Sequence, residues 1–350
     1  MGIRAWLTRL FEPYAGECSL LTKRALGLYA EGRLTEAHET AARLAALAPH
    51  DRLALDLVHR IRTDIALNRH SEHLADLSRQ LRWLNSSVAQ DYVARILRDP
   101  KFDDPLRLER HGYSVASQNE EDGMLAEVFR RIGESNRVFF EFGVGNGLQN
   151  NTLCCLLRGW SGYWIEIHPA KVEFIRNRFA TPIRNGRLVL DATPITAENI
   201  NEVARRLGVP GEIDLLSVDI DGNDYHVFQA LQEVRARVVV LEYNPLYPPP
   251  MSVVTAYDAD YTFREETYVG ASLQSLTDLA EKKGYKLVGC SVSGINAIFV
   301  RADLASNKFS TPATAEHFYH GPRYQLSFSG GFGWGPRSNF SKFHVPNFDR

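Results

Sequence analysis

The segment 138–147 carries an acidic residue and three glycines in close succession. An apolar stretch contains Glu141 near its end, and Gly143, Gly145 and Gly147 follow at every second position. Glycine permits positive φ angles and lets a ligand approach the backbone closely. A buried strand that runs into such a turn at the carboxyl edge of an α/β sheet is a frequent ligand site. The pattern therefore predicts that this acid and these glycines line a binding site.

Two later apolar runs also end in residues suited to ligand binding. Glu166 ends a run that begins at Tyr163, about 20 residues after the glycine turn, where a carboxylate can accept hydrogen bonds from ribose hydroxyls. Asp191 and Ala192 end the next run, where adenine would lie, although Asp191 is equally suited to capping the following helix. Leu148 stands where a dinucleotide fold needs its third glycine, so an NAD-dependent enzyme is the least favoured interpretation.

Four oxygen-bearing side chains follow two further apolar runs. Asp219 and Asp221 come after the first, and Glu242 and Asn244 come after the second. Because parallel strands end at one rim of a sheet, these oxygens are expected to converge, and such a set suits Mg²⁺ or Ca²⁺ better than zinc. Helix capping or pairing with arginine would explain the same residues. Without a metal, Asp219 or His226 would be the candidate general base.

Short apolar runs alternate with helical segments from Val138 to Val300, which predicts an α/β domain with a mainly parallel sheet. Only residues 291–296 separate the last two runs, so a hairpin and one antiparallel strand are expected. The predicted strands are Val138–Phe142, Tyr163–Ile167, Arg187–Leu190, Ile213–Asp219, Val238–Glu242, Lys286–Cys290 and Ala297–Val300. The predicted helices between them are Leu148–Arg158, Ala170–Phe179, Ala197–Leu207, Asp224–Leu231 and Leu273–Lys283.

The order of short motifs resembles that of the FkbM-like family of class I methyltransferases, which use S-adenosylmethionine (SAM). The motifs are S-Q-N-E-E-D-G at 117–123, E-F-G-V-G-N-G at 141–147, N-N-T at 150–152, G-W-S-G at 159–162 and D-I-D-G at 219–222. The resemblance covers roughly Tyr113–Leu304. It implies a Rossmann-like sheet of seven strands, and it implies that the acid and glycines of the 141–147 motif hold the amino-acid end of SAM.

The same resemblance implies that Gln118 and Asn151 belong to the cofactor site. Gln118 and Asp122 would close over the cofactor in that interpretation. Acidic residues also favour a helix N-terminus, so the 117–123 stretch has a purely structural alternative.

The regions on either side of the α/β segment differ from it in composition. Residues 18–98 are predicted to be helical, with a tetratricopeptide-like (TPR-like) hairpin at 26–49 and further helices at Arg52–Leu67 and Glu72–Leu84. Residues 305–350 are rich in glycine, serine and aromatic residues, so packing on the domain or on a partner subunit is expected. The predicted domains are therefore a TPR-like helical domain at 1–105, a methyltransferase domain at 106–304 and a tail at 305–350.

Composition narrows the function classes. The chain has 40 Lys and Arg against 42 Asp and Glu, and this balance gives no reason to expect nucleic-acid binding. Its four cysteines lack the spacing of a zinc knot or disulfide framework. No apolar run approaches the roughly 18 residues of a membrane span, and no signal peptide is recognised, so a cytoplasmic location is expected.

The leading hypothesis is a SAM-dependent O-methyltransferase that acts on a sugar or small hydroxylated metabolite, with or without a divalent metal. The expected partners are a small-molecule or glycan acceptor and, by self-association, a second copy of the chain. Protein or peptide methylation guided by the helical hairpin is the first alternative. A TPR-like interaction protein with an inactive methyltransferase fold is the second, although the intact glycines, Glu166 and Asp219 favour an active enzyme. The aromatic insertion at 245–270 is well placed to exclude water from the reaction.

Overall fold

The computed structural model describes residues 17–261, 269–323 and 326 of the chain. The chain divides into two compact units, with the division after Leu81. Arg264 and Tyr268 of the aromatic insertion, and the tail aromatics Phe332 and Trp334, lie outside the described residues.

The first unit is helical. Helices α1 (Glu17–Ala30) and α2 (Leu34–Leu47) form a hairpin whose turn contains Gly32 at a φ of +75°. Small side chains, including Ala25 and Ala37, are fully buried where these helices pack. A helical hairpin is thus present at the predicted place, and its assignment to the TPR class stays a prediction.

Helix α3 (Arg52–Ile96) is continuous over 45 residues. Both segments predicted to be helical, Arg52–Leu67 and Glu72–Leu84, lie within it, so their helical character is confirmed and no break separates them. The residues between those two segments are polar, but none is a glycine or proline. Polarity alone does not remove a backbone hydrogen bond, so the helix carries on through the segment. None of the described helices, this long one included, is apolar enough over its length to cross a bilayer.

The second unit is built on a seven-stranded sheet with the strand order β3-β2-β1-β4-β5-β7-β6. The first five strands are parallel, and β7 is antiparallel to both β5 and β6. The predicted hairpin and antiparallel strand are therefore confirmed. The strands are β1 (Val138–Phe142), β2 (Ser161–Ile165), β3 (Leu188–Asp191), β4 (Glu212–Val218), β5 (Arg235–Glu242), β6 (Tyr285–Cys290) and β7 (Asn296–Arg301).

Helices cover both faces of the sheet because successive strand residues point to opposite sides. In β1, Phe139 belongs to one buried cluster and Phe140 to the other. The cluster on the Phe139 side also holds Met124 and Leu125 of helix α4. The helices of this unit are α4 (Glu121–Ile132), α5 (Leu153–Leu157), α6 (Pro169–Arg178), α7 (Ala180–Arg184), α8 (Ile200–Leu207), α9 (Asp224–Ala230), α10 (Leu273–Lys282), α11 (Ala302–Ala305) and α12 (Ala315–Phe318).

The chain after β7 packs onto this same unit. Phe309 and Phe318 are both buried in its hydrophobic clusters. Arg107 is buried over the Phe318 ring and donates hydrogen bonds to the Glu109 carboxylate at 2.8 Å and to the His317 carbonyl at 3.0 Å. Pairing and hydrogen bonding satisfy the buried guanidinium, as a buried charge requires. Residues 305–323 are therefore part of the folded α/β unit.

Candidate functional site

The three glycines of the β1–α5 loop have positive φ angles, but their surroundings differ. A Cβ atom at Gly143 would lie 1.7 Å from the carbonyl oxygen of Asp219, so close backbone packing requires glycine there. A Cβ atom at Gly147 would meet the ring of Trp164 at 2.9 Å. At Gly145 nothing lies within 4 Å of such an atom. The loop therefore leaves open space at Gly145, where a ligand can approach the backbone.

Glu141 is buried beneath this loop and holds it in place. One carboxylate oxygen accepts a hydrogen bond from the Asn151 backbone N–H at 2.9 Å, and the other accepts one from the Thr152 hydroxyl. Burial raises the pKa of Glu141 to about 7, although both hydrogen bonds favour the charged form. Glu141 thus shapes the loop from below, and its predicted contact with a cofactor stays a prediction.

Helix α5 begins at Leu153, whereas the sequence predicted a helix from Leu148. The side chains between these positions bond to the loop and compete with helical backbone bonds. Asn150 Oδ1 accepts from the Leu153 N–H at 2.8 Å, and the Asn151 Nδ2 donates to the Ser217 hydroxyl of β4 at 3.0 Å. The N-N-T motif therefore extends the loop and attaches it to the neighbouring strand.

The end of β2 presents Glu166 at the same edge of the sheet. Its Oε1 accepts a hydrogen bond from the His168 N–H at 2.9 Å, and Pro169 then starts α6. Between them, the Ile167 side chain is 54% exposed. A carboxylate beside an exposed apolar side chain suits a ligand that has both hydroxyls and a flat apolar ring.

Asp191 at the end of β3 is already paired. Arg206 of α8 donates to its two carboxylate oxygens at 2.9 and 3.1 Å, and these bonds lower the pKa of Asp191 to about 2. The carboxylate also accepts from the Thr193 N–H at 2.8 Å. The alternative that Asp191 caps the next helix is wrong, because Asn199 is the residue before α8. Ala192 is exposed beside it, and adenine contact at both residues stays a prediction.

Most of the 117–123 motif builds a turn before α4. Asp122 Oδ2 accepts from the backbone N–H groups of Val115, Ala116 and Ser117 at 2.6–2.8 Å. A Cβ atom at Gly123 would lie 2.1 Å from the His111 carbonyl oxygen, so this glycine allows the turn to pack on the helix. Asp122 therefore has a structural role in this turn, and its closure over the cofactor stays a prediction.

Gln118 differs from its neighbours in the same motif because it is exposed, whereas Ser117 and Asn119 are buried. A long amide side chain at this position is accessible to a ligand. The predicted cofactor contact of Gln118 is compatible with its position and stays a prediction.

The carboxylates of Asp219, Asp221 and Glu242 form the main acidic cluster. One oxygen from each lies within 4.8 Å of the others, a spacing that suits a divalent cation with oxygen ligands. Burial raises the pKa of Asp219 and of Glu242 well above the usual range, and repulsion among the acids adds to it. A bound cation would relieve this repulsion. The residues present therefore fit a metal ion.

The backbone after β4 is shaped to present these groups. Asp221 has a φ of +57°, an uncommon conformation that aspartate tolerates better than most residues. Asp224, at the start of α9, accepts hydrogen bonds from the N–H groups of Ile220 and Gly222 at 2.9 and 3.0 Å. Asp224 thus closes the loop that carries Asp219 and Asp221.

Asn244 and His226 are each engaged in loop contacts. Asn244 Oδ1 accepts from the Leu246 N–H at 3.0 Å, and its Nδ2 donates to the Val269 carbonyl at 2.9 Å. The His226 Nε2 lies 2.8 Å from the Thr255 carbonyl and donates to it, which leaves Nδ1 as the only ring nitrogen that can accept a proton. Their predicted roles as metal ligand and general base stay predictions, and both residues stabilise loops around the site.

The described part of the insertion lies against the loop after β4. Asn223 Nδ2 donates to the Asp258 carbonyl at 2.8 Å, and the Tyr261 ring lies 3.2 Å from where a Cβ atom at Gly222 would be. Tyr257 packs beside the His226 ring, with centroids 5.3 Å apart. Aromatic side chains of the insertion therefore contact the loop that follows Asp221 and the helix after it.

No protein-family model and no curated protein matches the chain. Among solved structures, it is similar to the pyocyanin biosynthetic protein PhzM, with 15% identity over 51% of this chain and 54% of that one and a TM-score of 0.32. The precorrin-6y C5,15-methyltransferase from Geobacter metallireducens GS-15 is 14% identical over 56% of this chain and 97% of that one, with a TM-score of 0.33. An O-methyltransferase family protein from Burkholderia thailandensis is 12% identical over 52% of this chain and 57% of that one, with a TM-score of 0.33.

The chain spans little more than half the length of PhzM and of the Burkholderia protein. The strand order and the terminal hairpin themselves define the fold, which is the Rossmann-like seven-stranded sheet of class I methyltransferases. The narrower resemblance to the FkbM-like family stays a prediction.

Proposed function

We propose that this protein is a SAM-dependent O-methyltransferase that acts on a sugar or small hydroxylated metabolite with the help of a divalent cation. The observation that carries the proposal is the convergence of Asp219, Asp221 and Glu242 next to the glycine loop. The close contact between Gly143 and the Asp219 carbonyl makes these two features immediate neighbours.

Several features support SAM as the cofactor. The open space at Gly145 would admit the amino-acid end, and Glu166 can accept hydrogen bonds from ribose hydroxyls. The exposed side chain of Ile167 offers an apolar surface for adenine. When bound, SAM supplies an electrophilic methyl group to a nucleophile held in line with it.

The acidic cluster supports oxygen as the acceptor atom. A hydroxyl group must lose its proton to become a good nucleophile, and a cation beside it lowers its pKa. Asp219, Asp221 and Glu242 would hold that cation, and Asp219 would accept the proton if none is bound. Tyr257 and Tyr261 would exclude water, and their aromatic faces suit a sugar ring.

The first experiment measures SAM binding to the full-length protein by titration calorimetry. The second supplies SAM with a labelled methyl group and a panel of hydroxylated acceptors that includes sugars, and separates the products by mass spectrometry. Transfer to a hydroxyl group, lost on EDTA treatment and restored by Mg²⁺, is the expected result. If SAM binds but its methyl group is transferred only to proteins or peptides, the acceptor class is protein and not a sugar or small metabolite. If SAM does not bind, the proposal as a whole is contradicted.

A further inference from the structure

Asn296 begins β7 directly opposite Glu242, the last residue of β5. Partners in an antiparallel pair project from the same face of the sheet, with Cβ atoms about 5 Å apart. On the other side of β5, Val218 pairs with Leu241, so Asp219 continues the row next to Glu242. The side chains of Asp219, Glu242 and Asn296 therefore leave the sheet side by side.

A buried acid at the start of α4 fixes the orientation of the Asn296 amide. The Asn296 Nδ2 donates to Glu121 Oε1 at 2.7 Å, and Glu121 is fully buried. The nitrogen faces Glu121 Oε1, which acts as an acceptor there because it also takes a hydrogen bond from the Asn119 amide. Asn119 holds Glu121 in turn, with its Nδ2 at 3.0 Å from the same oxygen. Because the position of the Asn296 Nδ2 atom is fixed, the position of its Oδ1 atom is fixed as well.

The Asn296 Oδ1 atom is buried, and no group in the described part of the chain donates a hydrogen bond to it. The whole residue is only 4% exposed. An unsatisfied carbonyl oxygen in the interior is unfavourable unless an additional group binds it. A cation held by the adjacent carboxylates is such a group, and a neutral amide oxygen is a usual ligand for Mg²⁺ and Ca²⁺.

Asn244 is the competing amide in the sequence pattern. Its Oδ1 already accepts from Leu246, and its Nδ2 bonds to Val269. In Asn296, by contrast, the Oδ1 atom is unsatisfied, and the residue lies directly opposite Glu242 in the sheet. Asn296 is therefore the better candidate for an amide ligand.

We propose that the Asn296 Oδ1 atom is a ligand of the divalent cation bound by Asp219, Asp221 and Glu242, and that Glu121 is the positioning residue that orients it. The inference rests on the metal site of the proposed function. The amide ligand is then Asn296 of β7 rather than Asn244 of the loop after β5. The ligands of the site come from β4, β5 and β7.

The test uses Mn²⁺ as the probe, because the paramagnetic resonance signal of the free ion reports binding directly. Full-length protein without SAM is titrated with Mn²⁺. Asn296→Ala is expected to weaken binding about tenfold or more, as removal of a group that supports a metal site commonly does. Asn244→Ala is expected to change the affinity less than twofold. Asn201→Ala serves as the matched control, because it removes three side-chain hydrogen bonds away from the cluster, to Ala230, Gln232 and Glu233.

Asn296→Asp covers the case in which the alanine variant does not fold. It retains an oxygen at the same place, so Mn²⁺ is expected to raise its melting temperature by more than that of the wild type. Unchanged Mn²⁺ affinity in Asn296→Ala, or no metal-dependent stabilisation of Asn296→Asp, overturns the inference while leaving the three carboxylates as the site. A wild-type protein that binds SAM in calorimetry but not Mn²⁺ overturns the metal site and this inference together. In that case SAM-dependent methylation stands.

Discussion

At the scale of single residues, identical residue types in one motif have different tasks. Gly143 makes room for the Asp219 carbonyl, Gly147 for an aromatic core, and Gly145 alone borders open space. The sequence pattern predicts all three as ligand contacts, because it shows the need for glycine but not which neighbour creates that need. Only the packed structure separates them.

The first prediction contrasts two substitutions in this loop. Gly145→Val is expected to weaken SAM binding at least tenfold, about 1.4 kcal/mol, because the branched side chain enters the open space. Gly143→Ala is expected to lower the melting temperature instead, since its methyl group would overlap the Asp219 carbonyl. Calorimetry and thermal unfolding measure the two effects. Unchanged SAM affinity in Gly145→Val would remove the loop from the cofactor site.

The second prediction concerns Asp219. Asp219→Asn keeps the size of the side chain but removes one charge from the acidic cluster. Methyl transfer is expected to fall by about 10²-fold or more, the usual loss when a general base or its metal is removed. The apo protein should become more stable, because the raised pKa values reflect burial and repulsion among the acids.

Two measurements check this outcome. Initial rates with saturating SAM and Mg²⁺ report the loss of transfer, and urea unfolding in EDTA reports the gain in stability. Asp214→Asn is a comparison at the other end of β4, where Asp214 pairs with Arg237 at 2.7 Å. This change is expected to destabilise, because it leaves a buried guanidinium without its charge partner. Stability changes of the same sign in both variants would contradict the electrostatic account of the cluster.

At the scale of elements, the N-terminus of α4 carries buried acids, which the sequence alone interprets as helix-end charges or as part of the cofactor site. Glu120 is fully buried, and its Oε1 accepts a hydrogen bond from the Val292 N–H in the β6–β7 hairpin. Burial, with a further contribution from Glu121, raises the pKa of Glu120 to about 8. This acid therefore links the helix to the hairpin in its protonated form at neutral pH.

The third prediction follows from that pKa. The folded protein keeps the Glu120 proton up to about pH 8, whereas the unfolded chain loses it near the ordinary value of 4.5. Its contribution to stability is thus complete below pH 4.5 and is lost as the pH rises toward 8, at roughly 1.4 kcal/mol per pH unit. Glu120→Gln should flatten the pH dependence of the urea midpoint over this range. An unchanged slope in that variant would show that Glu120 is ionised when folded.

The arrangement of the strands could be predicted better than the starts and ends of some helices. Buried strands leave apolar runs that stand out, and a six-residue gap leaves little choice but a hairpin. The late start of α5 depends on how the amides of Asn150 and Asn151 bond to the loop and to β4. The ion pair of Asp191 with Arg206 joins the end of β3 to α8, 15 residues further along the chain. Such tertiary contacts have no signature in local sequence.

At the scale of the whole molecule, α3 exposes leucines that nothing described covers. Leu74, Leu77 and Leu81 are 62%, 41% and 57% exposed and follow the three- and four-residue spacing of a helix that packs on another helix. The residues between these leucines include one acid and one base, Asp76 and Arg79, so the formal charge of the segment is zero. We propose that it pairs with the same stripe in a second copy of the chain.

The fourth prediction tests this pairing. The double variant Leu77→Glu, Leu81→Glu is expected to reduce the molar mass in light scattering from dimer to monomer, because the new charges would face each other across the seam. Leu20→Glu provides the control, since Leu20 is also exposed, at 68%, but lies on α1. A wild-type protein that is monomeric at high micromolar concentration would contradict the proposal.

The contact between Gly143 and the Asp219 carbonyl has one more consequence. Backbones packed this tightly cannot shift separately, so ordering the glycine loop also orders the loop that carries Asp219. Binding events at the two loops then share a coupling free energy, and thermodynamic linkage makes it reciprocal. Mg²⁺ should tighten SAM binding by the same factor, roughly 5-fold or more, by which SAM tightens Mg²⁺ binding. The fifth prediction is thus tested by two titrations, SAM with and without Mg²⁺ and Mg²⁺ with and without SAM. Both should give the same ratio of affinities.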